Sequence, residues 1–333
     1  MHGDMQPAAM TGNRGNPGET PGNLCGRVVA VIVSRDRPEE LRATIMAVQS
    51  QICTTKLAML VVDSSEDSSV TEEFQDVAGI TVLRSEINLG GAGGFALGII
   101  GALARGASWI WLMDDDGRPA SHDVLQGLLN GLRARQLDAI APAVLDPGET
   151  SRFAFPYPVN GRYLFNRADV APDAFIPNFA HLFNGLLVNA ATFFSVGLPD
   201  LRLFLRGDEV DFLFRLRRAK QRFGTLAAVA FTHPSSKNEL YPIFGGRLHV
   251  VYPGDPWRRA IQYRNRGYNF VRHRQYKLLA VDAVRYPYFF LIERKFDVLG
   301  LKEWAKSMWC GMTGRIHGSE PGQLATTPAR DLA

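Results

Sequence analysis

Three adjacent carboxylates, Asp114-Asp115-Asp116, directly follow the apolar run Trp109-Ile110-Trp111-Leu112-Met113. Such a run reads as a buried strand, so it delivers the acids to one edge of a sheet. Crowded carboxylates repel one another, and burying them uncompensated is costly. A divalent cation removes that cost, and hard oxygen donors suit Mn²⁺ or Mg²⁺. The plain alternative is an acidic loop in water, and the strand placed just before the triplet argues against it.

Other chemistry-bearing residues are more ambiguous. Asn88 opens a glycine run in which Gly91, Gly93 and Ala96 match a dinucleotide fingerprint literally. That fingerprint belongs after the first strand of its unit, whereas this one follows the third. Glycines here let the backbone approach a nucleotide, and a helix N-terminus favours its negative charge; a tight turn that needs small residues is the alternative. Asp63 ends a strand, where it either accepts from a base or ribose or caps the next turn. Asp208, Glu209 and Asp211 stand at a helix start, as dipole and capping acids or as a general base. His233 follows an apolar run and matters to the chemistry only if it reaches the aspartates. Arg264 and Arg266 belong to a basic aromatic helix, by default a solvated face, which also suits contact with phosphates or headgroups.

These residues need a frame. Arg27–Val33, Leu57–Val62, Ile80–Leu83, Trp109–Met113 and Ala139–Val144 read as strands, separated by amphipathic helices. Alternation of this kind predicts an α/β fold with a mainly parallel sheet covered on both faces, with ligands at the carboxyl ends of the strands. Asp63 and Asp114 both lie at such ends. Residues 1–26 are expected to be a disordered tail and 27–250 the catalytic domain, with a nucleotide-binding half (27–117) and an acceptor half (118–250). Within the latter, Asn160-Gly161 signals a hairpin. Residues 251–315 read as a helical region and 316–333 as a flexible tail.

Composition bounds the rest. The 333 residues are 46% hydrophobic, enough for a large core, and the net charge of +4 is too small to suggest nucleic-acid binding. The three cysteines are far apart, which fits a reducing cytoplasm and no zinc or disulfide framework. No signal peptide or membrane-spanning run is expected. Tyr286–Trp309 mixes Phe289, Phe290, Trp304 and Trp309 with Arg294, Lys295, Lys302 and Lys306, which suits an interfacial helix or an amphipathic helix on the core.

Seven ordered segments carry a resemblance. They are Val33–Pro38, Asn88–Phe95, Trp111–Gly117, Leu182–Gly185, Arg206–Val210, Thr232–Pro234 and Tyr263–Tyr268. Together they resemble the family 2 inverting glycosyltransferases of the GT-A fold, in the branch of actinobacterial galactofuranosyltransferases that begin cell-wall galactan. The resemblance covers about residues 27 to 310. It implies a UDP-galactofuranose donor and a polyprenyl-diphosphate-linked rhamnosyl-GlcNAc acceptor, met at the cytoplasmic face of the plasma membrane by a peripheral protein. It implies that Asp114, Asp116 and His233 ligate the metal, and that Arg37, Asp63, Asn88, Gly91 and Asp115 line the nucleotide-sugar site. Glu209 matches the base, with Asp208 as its acidic neighbour. Asn184, Gly185, Arg264 and Arg266 are expected contacts to acceptor or phosphate. A rhamnosyltransferase on the same scaffold is the nearest alternative; a nicotinamide oxidoreductase and a non-catalytic scaffold are more distant ones.

Overall fold

The computed structural model describes residues 26–159, 162–235 and 237–316. The expected tails and the Asn160-Gly161 turn fall almost wholly outside these residues. The first half alternates β1 (Val28–Ser34), α1 (Pro38–Gln49), β2 (Leu57–Asp63), α2 (Ser69–Phe74), β3 (Ile80–Arg84), α3 (Gly90–Ala104) and β4 (Trp109–Asp114). A short β5 (Arg118–Pro119), α4 (Val124–Arg135), β6 (Ala139–Asp146), β7 (Glu149–Val159), β8 (Arg162–Asn166) and β9 (Phe175–Pro177) follow. Next come β10 (Asn184–Asn189), α5 (Thr192–Val196), α6 (Asp208–Arg218) and β11 (Phe223–Thr232), then the pair β12 (Leu240–Ile243) and β13 (Leu248–Val251). Three helices close the described chain: α7 (Pro256–Arg272), α8 (Tyr276–Tyr288) and α9 (Val298–Met312).

The main sheet runs β3-β2-β1-β4-β10-β6-β11. The first four strands are parallel, and β10 enters antiparallel between β4 and β6. β1 is buried along its whole length because helices cover both faces, which explains its unbroken apolar sequence. Its register sets the site. Ser34 pairs with Asp63 on one side and Val33 with Asp114 on the other, so the two aspartates flank the end of one strand.

The glycine run is not a turn before a helix, as its composition suggested: it forms the first turns of α3 itself. The reason is packing. A Cβ on Gly94 would stand 2.5 Å from Val33, and one on Gly98 would overlap Val31 and lie 3.1 Å from Val62. Close contact with β1 and β2 thus outweighs the low helix propensity of glycine. Gly98→Ala should destabilise the fold by about 1–3 kcal/mol through overpacking, read as a lower urea midpoint with an unchanged slope. An unshifted midpoint would mean that α3 can retreat from the sheet at no cost.

The β12–β13 pair and the three C-terminal helices share a separate apolar cluster containing Ile243, Val250, Tyr263, Tyr286, Phe290 and Met308. Phe289 and Phe290 are buried, and Trp304 packs against the same cluster, so that part of Tyr286–Trp309 serves the core. Trp309 stays exposed. Among the described residues, no helix is long and apolar enough to cross a membrane.

Candidate active site

The triplet turn is tied down by its neighbours. The Asp114 amide donates to Phe183 O and the Asp115 amide to Val33 O. The Thr44 hydroxyl donates to Asp115 O (2.6 Å). The Asp115 side chain is the buried one of the three, at 4% exposure, and it accepts from Ser34 (2.9 Å) and Arg37 (3.2 Å). Arg37 also donates to Asp116 Oδ2 (2.6 Å), while His233 Nε2 lies 3.1 Å from Asp116 Oδ1. The structure therefore brings His233, at the end of β11, onto the triplet, as ligation would require.

Asp114, Asp116 and His233 each offer one ligand atom, and these atoms lie within 4.8 Å of one another. Two carboxylate oxygens and an imidazole nitrogen suit a divalent ion such as Mn²⁺. Beside them lies Asn184, 5% exposed, whose Oδ1 has no hydrogen-bond partner among the described residues. That oxygen would sit 3.5 Å from a Cβ at Gly117, and His233 3.4 Å from it. A buried, orphaned acceptor next to three ligand atoms is what a bound, hydrated cation would satisfy. The residues present fit the ion.

Electrostatics agree. Burial, and then the charges of Asp116, Asp115, Glu209 and Asp208, push the Asp114 carboxyl well above the ordinary range. Burial raises Asp115 to about 6 despite Arg37. Burial would also raise Asp116, but the hydrogen bond and charge of His233, with Arg37, bring it down to about 2. Burial and the neighbouring Glu209 lift Asp208 to about 7, and burial raises Glu209, opposed by the charges of His233 and Arg206. The two acids at the start of α6 thus share one electrostatic site with the triplet. A cleft of about 470 Å³ opens beside it, lined by Arg37, Glu40, Asp116, Arg118, Thr232 and Pro234. Glu40 and Arg118 had no sequence signal beyond lying near two of the motifs.

Other expected residues are placed as follows. Gly91 lies over Asp208: a Cβ there would be 3.9 Å from Asp208 Oδ2. Asn88 Oδ1 accepts from the Gly90 amide and so shapes the start of α3. Asp63 is fully buried and accepts from the Ser65 amide, Thr71 and Arg84, so in this structure it caps the turn after β2. Three expected contacts need correction. Gly185 sits in the core with φ +91°, its carbonyl accepting from Trp111 and its missing side chain leaving room for Phe231. Arg264 is buried and donates to Asn265 Oδ1 and Leu203 O. Arg266, partly exposed, is paired with the buried Asp282 of α8. Neither arginine forms a solvated basic face, because α8 and α9 cover α7 on the sides that carry them.

Residues 29–184 match the family model described as "Glycosyl transferase family 2". The chain is also 42% identical over 298 residues to galactofuranosyltransferase GlfT1 of Mycolicibacterium smegmatis, covering 87% of this chain and 98% of that protein. The chain belongs to glycosyl transferase family 2, among its galactofuranosyltransferases. GlfT1 of Mycobacterium tuberculosis is 41% identical over 288 residues, covering 84% of this chain and 93% of that protein. The crystal structure of S. aureus TarS 1-349 shares the fold, with a TM-score of 0.51 at 12% identity over 87% of this chain and 82% of that one. This family 2 transferase is therefore an enzyme with the GT-A arrangement, and its acidic cluster is of the kind that GT-A transferases use with a divalent metal.

Proposed function

We propose that this transferase moves galactofuranose, with inversion, from UDP-galactofuranose to the rhamnose of a polyprenyl-diphosphate-linked GlcNAc-rhamnose, the step that begins the galactan of arabinogalactan. The supporting observation is the convergence of Asp114, Asp116 and His233 with Asp208-Glu209 in one site, in a chain related over most of its length to GlfT1 proteins. Asp114, Asp116 and His233 would hold Mn²⁺ or Mg²⁺, which when bound would supply Lewis-acid stabilisation of the charge on the leaving diphosphate. Arg37 exchanges Asp116 for a donor phosphate, while Asn88, Gly91, Asp63 and Asp115 shape the wall along the nucleotide. Glu209 takes the proton from the acceptor hydroxyl as that oxygen bonds to the anomeric carbon from the face opposite UDP. The bond to the UDP oxygen breaks, and its electron pair leaves with UDP. A single displacement of this kind inverts the configuration and needs no covalent nucleophile.

The test is a transfer assay with UDP-galactofuranose, Mn²⁺ and a rhamnosyl-GlcNAc lipid analogue. A galactofuranosylated product is expected. Product from dTDP-rhamnose and none from UDP-galactofuranose would replace this reading with a rhamnosyltransferase.

A lipid-linked acceptor places the enzyme peripherally on the cytoplasmic membrane face. The turn between α8 and α9 suits that contact: Phe296 is 72% and Leu299 80% exposed, beside Ile292, Val298 and the cations Lys295 and Lys302. Phe296→Asp with Leu299→Asp should cut sedimentation with anionic vesicles by about tenfold, as several buried methylene equivalents are lost. Turnover of a soluble acceptor should be unchanged. Unaltered sedimentation would exclude this turn as the contact.

A further inference from the structure

We propose that Asn265 and Asn269, on α7, are positioning residues that hold the loop Leu203–Gly207 and thereby set where Asp208 and Glu209 stand. The inference rests on the reading of Glu209 as the base and adds residues that touch neither donor nor acceptor.

The loop is held in an uncommon backbone shape. Phe204 (φ +62°), Arg206 (φ +61°) and Gly207 (φ +90°) are all left-handed, and two of them carry side chains. Such conformations persist only where the surroundings over-determine them. Gly207 O accepts from the Asp211 amide in the first turn of α6 and Leu203 O from the Leu205 amide, while Leu205 O and Arg206 O take their hydrogen bonds from α7, as buried carbonyls must find a partner. Asn265 gathers three of them: its Nδ2 lies within hydrogen-bond distance of Leu203 O (2.8 Å), Leu205 O (3.0 Å) and Arg206 O (2.6 Å), its two hydrogens shared among the three. Asn269 Nδ2 donates to Gly207 O (2.7 Å). Both asparagines are at most 1% exposed, and Arg264 fixes the Asn265 amide by donating to its Oδ1 (2.9 Å).

The opposite side of the loop is fixed as well. Phe204 O accepts from the Ala92 amide at the start of α3 (3.0 Å), where a Cβ on Gly90 would collide with it. Gly207 fits between the asparagines: a Cβ there would lie 3.0 Å from Asn265 Cβ and 3.3 Å from Asn269 Nδ2. Asp208 begins α6 immediately after Gly207. One turn on, Asp211 is fully buried and pairs with His273 (2.8 Å) and Arg272 (3.3 Å) at the end of α7. The first turn of α6 is thus registered against α7 from both ends. Behind it, α7 is seated on α9, since a Cβ on Gly311 would overlap the Arg264 carbonyl and one on Gly267 the Met308 carbonyl. The helical layer is in this sense part of the active site.

The test compares Asn265→Ala, Asn269→Ala and Glu209→Gln in the full chain. Three readouts are taken: turnover with UDP-galactofuranose, UDP affinity with Mn²⁺ by calorimetry, and amide exchange. A misplacement of about 1 Å at a reacting group can cost about a hundredfold in rate. The expected result is kcat lower by about tenfold or more in Asn265→Ala and by a smaller factor in Asn269→Ala, with the UDP Kd within about twofold. Exchange should quicken at the amides of residues 203–210 and not in the strands. Wild-type kcat in both variants, or UDP affinity falling by the same factor as kcat, overturns the proposal. If Asn265→Ala does not fold, Asn269→Ala decides by the same criteria. Full turnover in Glu209→Gln would instead mark failure of the base assignment, leaving the exchange readout as the test of the clamp.

Discussion

Glu209→Gln lowers the turnover number of sugar transfer by about 10²–10⁴-fold, the range typical of a lost general base. UDP should still bind with Mn²⁺, because the proposed ligand set of Asp114, Asp116 and His233 is untouched. Glutamine keeps the size of the side chain and removes only its capacity to take a proton. The pH profile separates this from a packing effect. A base must be unprotonated to act, and burial raises Glu209 above the ordinary carboxylate range while Asp208 stands at about 7. Wild-type kcat/KM should therefore fall on the acid side at a pH above that of an ordinary glutamate, and the residual rate of Glu209→Gln should lack the limb that belongs to Glu209. His233, Arg206 and Asp208 are the charged neighbours that set its position, the first two lowering the Glu209 pKa and Asp208 sharing the titration. Asp208→Asn, beside Gly91, should retain more activity than Glu209→Gln. The reverse order would transfer the base role to Asp208.

Asp116→Ala makes UDP binding indifferent to metal. In the wild type, five carboxylates crowd the site proposed for the diphosphate, from Asp114 to Asp116 and from Asp208 to Glu209. An anionic diphosphate cannot enter such a field unless a cation is held there. Removing one ligand should weaken UDP affinity in Mn²⁺ by about tenfold or more, since even indirect support of a metal ligand is worth about 10–100-fold. The same substitution takes a partner from Arg37 and from His233, so thermal stability must be followed in parallel. Equal UDP affinity in wild type and variant, with metal present, would show that Asp116 is not a ligand.

The parallel half of the fold was legible because β1, β2 and β4 are buried on both faces and so read as unbroken apolar runs. The triplet, His233 and the Asp208-Glu209 pair were legible as residue types. What brings them together is register: β10 returns antiparallel, with Asn184 opposite Met113, and β11 lies beside β6. Neither pairing leaves a mark in a single strand's pattern. The α7 arginines were misread as a solvated face because periodicity shows that a helix has two faces, not that a further helical layer covers the polar one. For the same reason nothing marked Asn265, within the Tyr263–Tyr268 segment, or Asn269 as buried. A polar residue buried by tertiary contacts looks, in sequence, like any exposed one.

The most direct test of the metal-centred site is anomalous diffraction from crystals grown with UDP and Mn²⁺. The expected result is one Mn²⁺ peak within ligand distance, about 2.0–2.3 Å, of an Asp114 oxygen, an Asp116 oxygen and His233 Nε2, with the diphosphate on its open side. UDP bound with no manganese between these three residues would contradict it.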